Sequence, residues 1–151
     1  MSLEAAILEL PVVNVPAGDA LIAEGERLDR IYFLKSGRIE VSREGIRLSI
    51  IKTPGSVVGE ISVLLDTPST ATVVALDEVE VFRCDDPMDF LRGHPEVSLH
   101  VSSLLAQRLA AATQYLVDVK EQLKDCSDHV GMVDGVLDSI LHRDLKKKIS
   151  V

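Results

Sequence analysis

The chain is poor in aromatic side chains and in cysteine. Aromatic residues make up 3% of its 151 residues, tryptophan is missing altogether, and there are two cysteines. Such a core is built from Val, Ile, Leu and Ala. Cys84 and Cys126 lie far apart with no Cys-x-x-Cys spacing, so the sequence predicts neither a metal cage nor a disulfide framework. We therefore expect a reducing, cytoplasmic setting.

Positive charge is also scarce. Sixteen Lys and Arg stand against 24 Asp and Glu, which gives a formal net charge of −8. Non-specific nucleic-acid binding needs clustered Lys and Arg, and the basic run here is Lys146-Lys147-Lys148. That run is either a phosphate-contacting tail or a solvated chain end. We expect no direct DNA binding.

Membrane and catalytic signals are missing as well. The sequence has no charged-then-apolar leader and no apolar run near about 18 residues, so we expect neither secretion nor a membrane span. It has no Ser/His/Asp arrangement and no Walker-type loop. His94, His100, His129 and His142 are scattered without metal-ligand spacing. We expect no enzyme, no metal and no cofactor.

What the sequence does have is a regular series of short apolar runs from Val12 to Cys84. Gly, Pro, Asp and Asn interrupt these runs every eight to twelve residues, a pattern typical of an antiparallel roll or sandwich. Glu44-Gly45 is typical of a hairpin turn. The predicted strands are Val12–Val15, Ala20–Ala23, Arg30–Ser36, Gly37–Arg43, Arg47–Lys52, Ser56–Val58, Ser69–Ala75 and Glu78–Asp85. Helical spacing over residues 3–10 predicts a short leading helix.

The pattern turns helical at Pro87, where a short helix is predicted, and His94-Pro95 marks a break before a long one. Apolar residues then follow alternating steps of four and three, an a/d seam held for five heptads. Its members are Leu105, Leu109, Ala112, Leu116, Val119, Leu123, Cys126, Val130, Val133, Leu137 and Ile140. So narrow a seam favours pairing with a second helix, and we expect a homodimer through residues 96–143.

Two glycines weaken the helix on which this seam lies. Gly131 and Gly135 each cost about 1 kcal/mol in a helix interior, so we expect a weakening or break near Asp128–Gly135. The piece after it, Met132–Arg143, either folds back or pairs in trans. Cys126 is a small apolar seam residue or, less simply, a redox-sensitive thiol. The same helix also has a plainer interpretation, in which residues 96–125 cover the open end of the roll.

The most informative stretch runs from Gly59 to Leu65 and continues from Pro68 to Val73. An acidic residue after a glycine, a short apolar turn, and then small hydroxyl residues form a loop suited to ribose and phosphate. Glu60 offers several acceptor sites to a sugar hydroxyl, or is an exposed turn residue. Thr70 and the N–H groups around Ala71 suit an anion.

This stretch resembles the phosphate-binding cassette of cyclic-nucleotide-binding domains. In that family the pattern reads Gly-Glu-(Ile/Leu)-(Ala/Ser)-Leu, a short loop, then Arg-(Thr/Ser)-Ala-(Thr/Ser). Gly18, Gly25, Gly37 and the run Tyr32-Phe33-Leu34-Lys35-Ser36-Gly37 resemble the first half of the family's β-roll. The resemblance covers residues 12–125.

The resemblance implies a mainly β fold with C-terminal α: an antiparallel β-roll of the jelly-roll-like, double-stranded β-helix kind, followed by a long dimerisation helix. It implies a roll with a short leading helix over residues 1–95 and a helical lid and dimerisation segment over 96–151. The ligand-binding residues it implies are Gly59, Glu60, Ile61, Ser62, Ser69, Thr70, Ala71, Arg108 and Thr113. Thr72 is expected to start the next strand.

Ser69 is a departure from the family pattern, because the family carries a phosphate-pairing arginine there. A guanidinium makes charge-assisted hydrogen bonds worth roughly 1.5–3 kcal/mol, against about 1 kcal/mol for a serine hydroxyl. The loss of about 0.5–2 kcal/mol corresponds to roughly 2- to 30-fold weaker binding. Arg108 and Thr113 match an arginine and a hydroxyl residue of the catabolite-activator helix, but Ala112 replaces a second hydroxyl. Arg108 is otherwise a seam-edge charge.

The sequence thus predicts a stand-alone regulatory domain that senses a cyclic nucleotide, cAMP or cGMP, and repositions its C-terminal helix. The alternative is a degenerate domain that binds no cyclic mononucleotide. Such a domain would act as a dimerisation or interaction module, or would bind another small anionic ligand.

Overall fold

A computed structural model describes residues 2–124 and 131–140. Eight strands and four helices have defined bounds. The strands are β1 (Val12–Val15), β2 (Ala20–Ile22), β3 (Ile31–Ser36), β4 (Ile39–Arg43), β5 (Ile46–Ile51), β6 (Val57–Val58), β7 (Thr72–Ala75) and β8 (Val79–Cys84); the helices are α1 (Leu3–Leu8), α2 (Glu60–Leu65), α3 (Pro87–Gly93) and α4 (Pro95–Gln122). All eight predicted strands are present, with ends that differ by up to three residues.

The strands form two antiparallel four-stranded sheets, with orders β1-β8-β3-β6 and β2-β7-β4-β5. Strands distant in sequence pair in both sheets, as where β1 pairs with β8 from Val12 opposite Phe82 to Val15 opposite Val79. The local pair β4–β5 closes through Glu44 and Gly45, which have φ angles of 52° and 78°. The predicted hairpin turn is confirmed, and the two sheets form the predicted β-roll.

The main core lies between the sheets. It is built from Val15, Tyr32, Leu34, Val58, Val79 and Val81 on one sheet and Ile22, Ile39, Val73 and Ala75 on the other. Strand β3 is buried on both faces, because Ile31 and Phe33 alternate with Tyr32 and Leu34 and all four are buried. The buried helical residues Ala6, Ile7, Leu91, Val97 and Val101 supply a second apolar layer.

The one cysteine described, Cys84, is a free thiol and is buried at the end of β8. Burial raises the pKa of the Cys84 thiol, so the group stays protonated and behaves as a small apolar residue. Cys126 lies outside the described residues. So do His129 and His142.

The chain divides into two compact units, Met1–Leu104 and Leu105–Val151, with the division inside α4. In the second unit, the described seam residues Leu105, Leu116, Val119 and Leu123 are half-buried and Leu109 is 49% exposed. Residues 131–140 are helical, and Lys120 Nζ contacts the carboxylate of Asp134. This contact joins residues 131–140 to the end of α4 within one chain.

The long helix is interrupted, and its first part ends earlier than expected. Helix α4 ends at Gln122, and residues 131–140, which include Gly131 and Gly135, are helical; residues 128–130 of the stretch where we expected a break lie outside the described residues. The seam is therefore not one five-heptad helix. In the described ranges 2–124 and 131–140, no helix has the length and apolar character needed to cross a membrane.

Candidate functional site

The cassette begins at Gly59, between β6 and α2. Gly59 has a φ of 89°, a conformation that L side chains rarely adopt, and it serves as the N-cap of α2. A Cβ at this position would lie 3.1 Å from the Arg30 carbonyl oxygen and 3.3 Å from a Leu28 methyl group. Glycine is thus required here both by the backbone angle and by the close approach of residues 28–30.

Glu60 is the first residue of α2 and is 2% exposed. A charged side chain is almost never fully buried unless it has interaction partners, and Glu60 does have them in this fold. The interpretation of Glu60 as an exposed turn residue is therefore wrong. A preorganised carboxylate inside the roll has the chemistry to accept hydrogen bonds from a hydroxylated ligand.

Ser62 is buried and shapes the cassette from within. Its hydroxyl donates to the Thr67 carbonyl oxygen at 2.5 Å and accepts from the Leu28 N–H at 3.4 Å. These bonds close the loop after α2 and attach it to the segment before β3. Ile61, by contrast, is 44% exposed.

Ser69, at the position of the family arginine, is engaged by its own loop. Its hydroxyl donates to the Ala71 carbonyl oxygen at 2.8 Å and lies 3.3 Å from the Ala71 N–H. The Ala71 amide expected to face an anion is thus already in contact with an internal acceptor. Thr70, the neighbouring hydroxyl residue of the cassette, is exposed.

Strand β7 begins at Thr72, three residues after the start of the predicted strand and at the residue expected to open it. Thr72 opens this strand, and its hydroxyl accepts the Glu24 N–H at 3.1 Å, so its role is structural, as expected. Val58 and Val73 belong to the buried core, and Val41 packs against that core.

A second segment, residues 24–28, runs along the cassette and was given no role by the sequence. The Gly25 N–H donates to the Ser69 carbonyl oxygen at 2.8 Å, and the Ser69 N–H donates to the Glu26 carbonyl oxygen at 2.7 Å. Arg27 Nη1 lies 2.7 Å from Asp66 Oδ1 and 3.4 Å from the Asp66 carbonyl oxygen. These contacts join residues about 40 positions apart, so no local pattern signals them.

Asp66 closes α2 with a φ of 53°, in the left-handed region. Both members of the Arg27–Asp66 pair are largely exposed, at 64% and 91% of their side chains. A surface ion pair of this kind contributes about 0–1 kcal/mol. The pair therefore places a guanidinium at the cassette without holding it strongly.

Arg108 and Thr113 lie on α4 within the second compact unit, and both are half-buried. Arg108 takes part in an interaction of its own. Their assignment to a ligand site stays a prediction.

Another depression lies on the first sheet, away from the cassette. This groove of about 460 Å³ is lined by α1, β3 and the Pro54-Gly55 turn, with Phe82 and His100 at its walls. His100 Nε2 is 2.8 Å from the Gly55 carbonyl oxygen, which ties α4 to that turn. None of the groove's lining residues belongs to the cassette. Among residues 2–124 and 131–140, no cluster of three metal-ligating side chains occurs.

Comparison with known proteins agrees with this geometry. The family model described as "Cyclic nucleotide-binding domain" matches residues 12–87. A CRP-like cAMP-activated global transcriptional regulator of Mycobacterium tuberculosis is 28% identical over 94% of this chain and 70% of its own length.

Solved structures of cyclic-nucleotide-binding proteins are also similar to this chain. A cAMP-binding acyltransferase from Mycobacterium smegmatis is 34% identical, with a TM-score of 0.60, over 72% of this chain and 35% of that chain. The catabolite activator protein of Thermus thermophilus covers 97% of this chain and 83% of that chain with a TM-score of 0.66; at 19% identity it supports the fold alone. The chain thus spans about a third of the acyltransferase and 70% of the mycobacterial regulator.

Proposed function

The chain belongs to the cyclic nucleotide-binding domain family, and we propose that it is a sensor which binds a cyclic mononucleotide, cAMP or cGMP, in the β-roll. In this proposal Glu60 accepts the ribose hydroxyl, and the amides from Gly59 to Ser62 lie along the sugar and phosphate. Thr70 and Ala71 take the phosphate oxygens. The observation that carries the proposal is a carboxylate 2% exposed at the start of α2, directly after a glycine whose φ of 89° admits no ordinary side chain.

The regulatory step that we propose is a change at α4. Ligand binding in the roll would bias two arrangements of the helix from Glu96 onward, and the helix would carry the change to a dimer or partner surface. The seam on α4 supports this, since its member Leu109 is an aliphatic side chain 49% exposed. We propose a homodimer through residues 96–143, with Arg108 and Thr113 as ligand contacts from the helix.

Ligand-dependent stability tests the nucleotide site. At a ligand concentration about 100 times Kd, binding adds about 2.7 kcal/mol to the free energy of unfolding, which raises Tm by about 5–10 °C for a chain of this size. The Glu60→Gln variant keeps the side-chain size and should remove most of that shift, which is measured for each protein against its own unliganded Tm. Equal shifts in Glu60→Gln and the parent chain would contradict the ribose role.

The oligomer is tested separately. Leu109→Lys places a charge on the seam, and Ala111→Lys places the same charge on an exposed position off the seam. We expect sedimentation analysis to give monomers for Leu109→Lys and dimers for the parent chain and Ala111→Lys. Dissociation by both substitutions, or by neither, would contradict the seam as the dimer contact.

A second candidate function keeps the fold without a cyclic nucleotide. It is favoured by Ser69, whose hydroxyl is engaged with Ala71 rather than free for a phosphate. In that case the domain is a dimerisation or interaction module, or it binds another small anion. Such a module shows concentration-dependent stability and no change with cAMP, cGMP or cyclic di-GMP.

A further inference from the structure

We propose that Arg27 supplies the positive charge which holds the ligand phosphate, in place of the arginine that the cassette lacks. The inference rests on the proposed function, because it concerns the phosphate of the same nucleotide site. Residues 59–73 contain no Lys or Arg and contain two acidic residues, Glu60 and Asp66. A phosphate in this seat therefore needs a cation from outside the cassette, since a desolvated anion without one is costly.

Arg27 is the only basic residue of the segment that lies along the cassette, residues 24–28. Ser69 and the segment exchange two backbone hydrogen bonds, at 2.7 and 2.8 Å, through Glu26 and Gly25. Arg27 follows Glu26 directly, so its Cα lies about 3.8 Å from that of the residue whose carbonyl oxygen accepts the Ser69 N–H. The long arginine side chain therefore starts one residue away from a direct contact with Ser69.

The ion pair that Arg27 makes with Asp66 is easily broken. Asp66 is 91% exposed at its side chain and hydrogen-bonds the guanidinium at 2.7 Å. Because the pair lies in water, it contributes little to the free energy of folding. A phosphate offers the guanidinium a bidentate, charge-assisted contact in place of this exposed pair. Arg27 would leave Asp66 for the phosphate when the ligand binds.

Two other arginines of the first unit, Arg38 and Arg47, have partners outside the cassette. Arg38 Nε lies 3.0 Å from Asp77 Oδ2, and Arg47 Nε lies 2.8 Å from Glu40 Oε2. Asp77 lies in the connection between β7 and β8, and Glu40 lies on β4. Arg38 thus provides a matched control: an exposed arginine in an exposed ion pair away from residues 59–73.

The test is calorimetric titration of the full chain with cAMP, using Arg27→Gln and Arg38→Gln. We expect Arg27→Gln to weaken binding about 5- to 30-fold, to reduce its salt dependence, and to leave the unliganded Tm within a few degrees. Arg38→Gln should bind as the parent chain does. Asp66→Asn frees the guanidinium and should tighten binding by about 2- to 3-fold.

A double-mutant cycle with Ser69→Arg separates a ligand contact from a merely structural one. If Arg27 holds the phosphate, Arg27→Gln should cost much less in the Ser69→Arg background, where the cassette has its own cation. Saturable binding that Arg27→Gln leaves unchanged, or weakens equally in both backgrounds, would overturn the assignment while the proposed function stands. No saturable binding of cAMP or cGMP by the parent chain would overturn both.

Discussion

Ser69→Arg measures what the missing cation is worth. The substitution removes two contacts of the Ser69 hydroxyl with the Ala71 backbone, at 2.8 and 3.3 Å, and so frees the Ala71 N–H for a ligand. A neutral hydrogen bond contributes about 1 kcal/mol, whereas a guanidinium on a phosphate contributes about 1.5–3 kcal/mol. The difference predicts binding of cAMP about 2- to 30-fold tighter than in the parent chain.

The predicted gain in affinity combines the freed Ala71 N–H with the added positive charge, and Ser69→Ala separates these two effects. Alanine frees the same N–H without adding charge, so we expect it to change the affinity by no more than about 3-fold. Calorimetric titrations of the three proteins at low and near-physiological salt supply the comparison. The advantage of the arginine should shrink as salt rises, because screening weakens an accessible ion pair.

Equal affinities of Ser69→Arg and Ser69→Ala would refute this reasoning, since they would show that position 69 does not face the phosphate. A different result is also informative. If Ser69→Arg binds cAMP and the parent chain shows no binding at millimolar ligand, the native roll has no working phosphate seat. The interaction-module function would then be favoured.

Three further predictions concern the roll itself. Gly37→Ala should destabilise the fold by about 2–4 kcal/mol in urea unfolding, because its Cβ would meet the carbonyl oxygen of residue 78 at 2.6 Å with φ at 91°. At Gly18 the φ angle is 89° and no atom lies within 4 Å of an added Cβ, so Gly18→Ala should lower the free energy of unfolding by only about 1–2 kcal/mol. Equal losses for the two variants would exclude the steric contact at Gly37 as the cause of its larger loss. Glu44→Asn should stabilise by about 0.5–1 kcal/mol, since Asn suits the positive φ of this turn; a lower midpoint of urea unfolding would contradict this. Arg38 lowers the pKa of Asp77, first through its backbone N–H and then through its guanidinium, so the stability that Asp77 contributes is present above the ordinary pKa of 3.8 and lost as pH falls through the lower folded value. Asp77→Asn should flatten this acid limb in pH-dependent melting, and an unchanged limb would count against the linkage.

The strands of the roll were predictable because local chemistry determines them. Glu44-Gly45 forms a two-residue hairpin loop with both φ angles positive, and glycine with a polar neighbour is what such a turn selects. Strand ends were less predictable. The strand expected to begin at Ser69 begins at Thr72, because residues 69–71 use their polar groups in the cassette turn and in bonds to residues 25 and 26.

The long helix shows the limit of periodicity. Steps of four and three continue through Ile140, yet α4 ends at Gln122 and Lys120 contacts Asp134 of the later helical stretch. An a/d pattern predicts which residues pack against another helix. It does not show whether that helix belongs to the same chain or to a second copy. Gly131 and Gly135 do not prevent helix formation in residues 131–140, because their cost of about 1 kcal/mol each is small against tertiary packing.

The cassette was predictable from its order of residue types, and its surroundings were not. Gly59 and Glu60 are recognisable because the chain needs a left-handed glycine and an acidic group side by side. The contacts of residues 24–28 with the cassette join positions about 40 residues apart in the chain. No period or motif in the sequence brings Arg27 beside Asp66.

The charged groups near the cassette restrict which ligands it can bind. Two acids near the seat are already satisfied locally: Glu26 Oε2 accepts the Ala23 N–H and Glu24 Oε2 accepts the Glu44 N–H, both at 3.1 Å. Glu60, at the start of the cassette, is buried. In the proposed site an anion needs a cation beside it, so we expect its affinity to depend on the Arg27 guanidinium and to fall as salt rises. A ligand held by ribose and base contacts alone would show neither dependence. The salt titration of the parent chain therefore separates binding through the phosphate from binding without it.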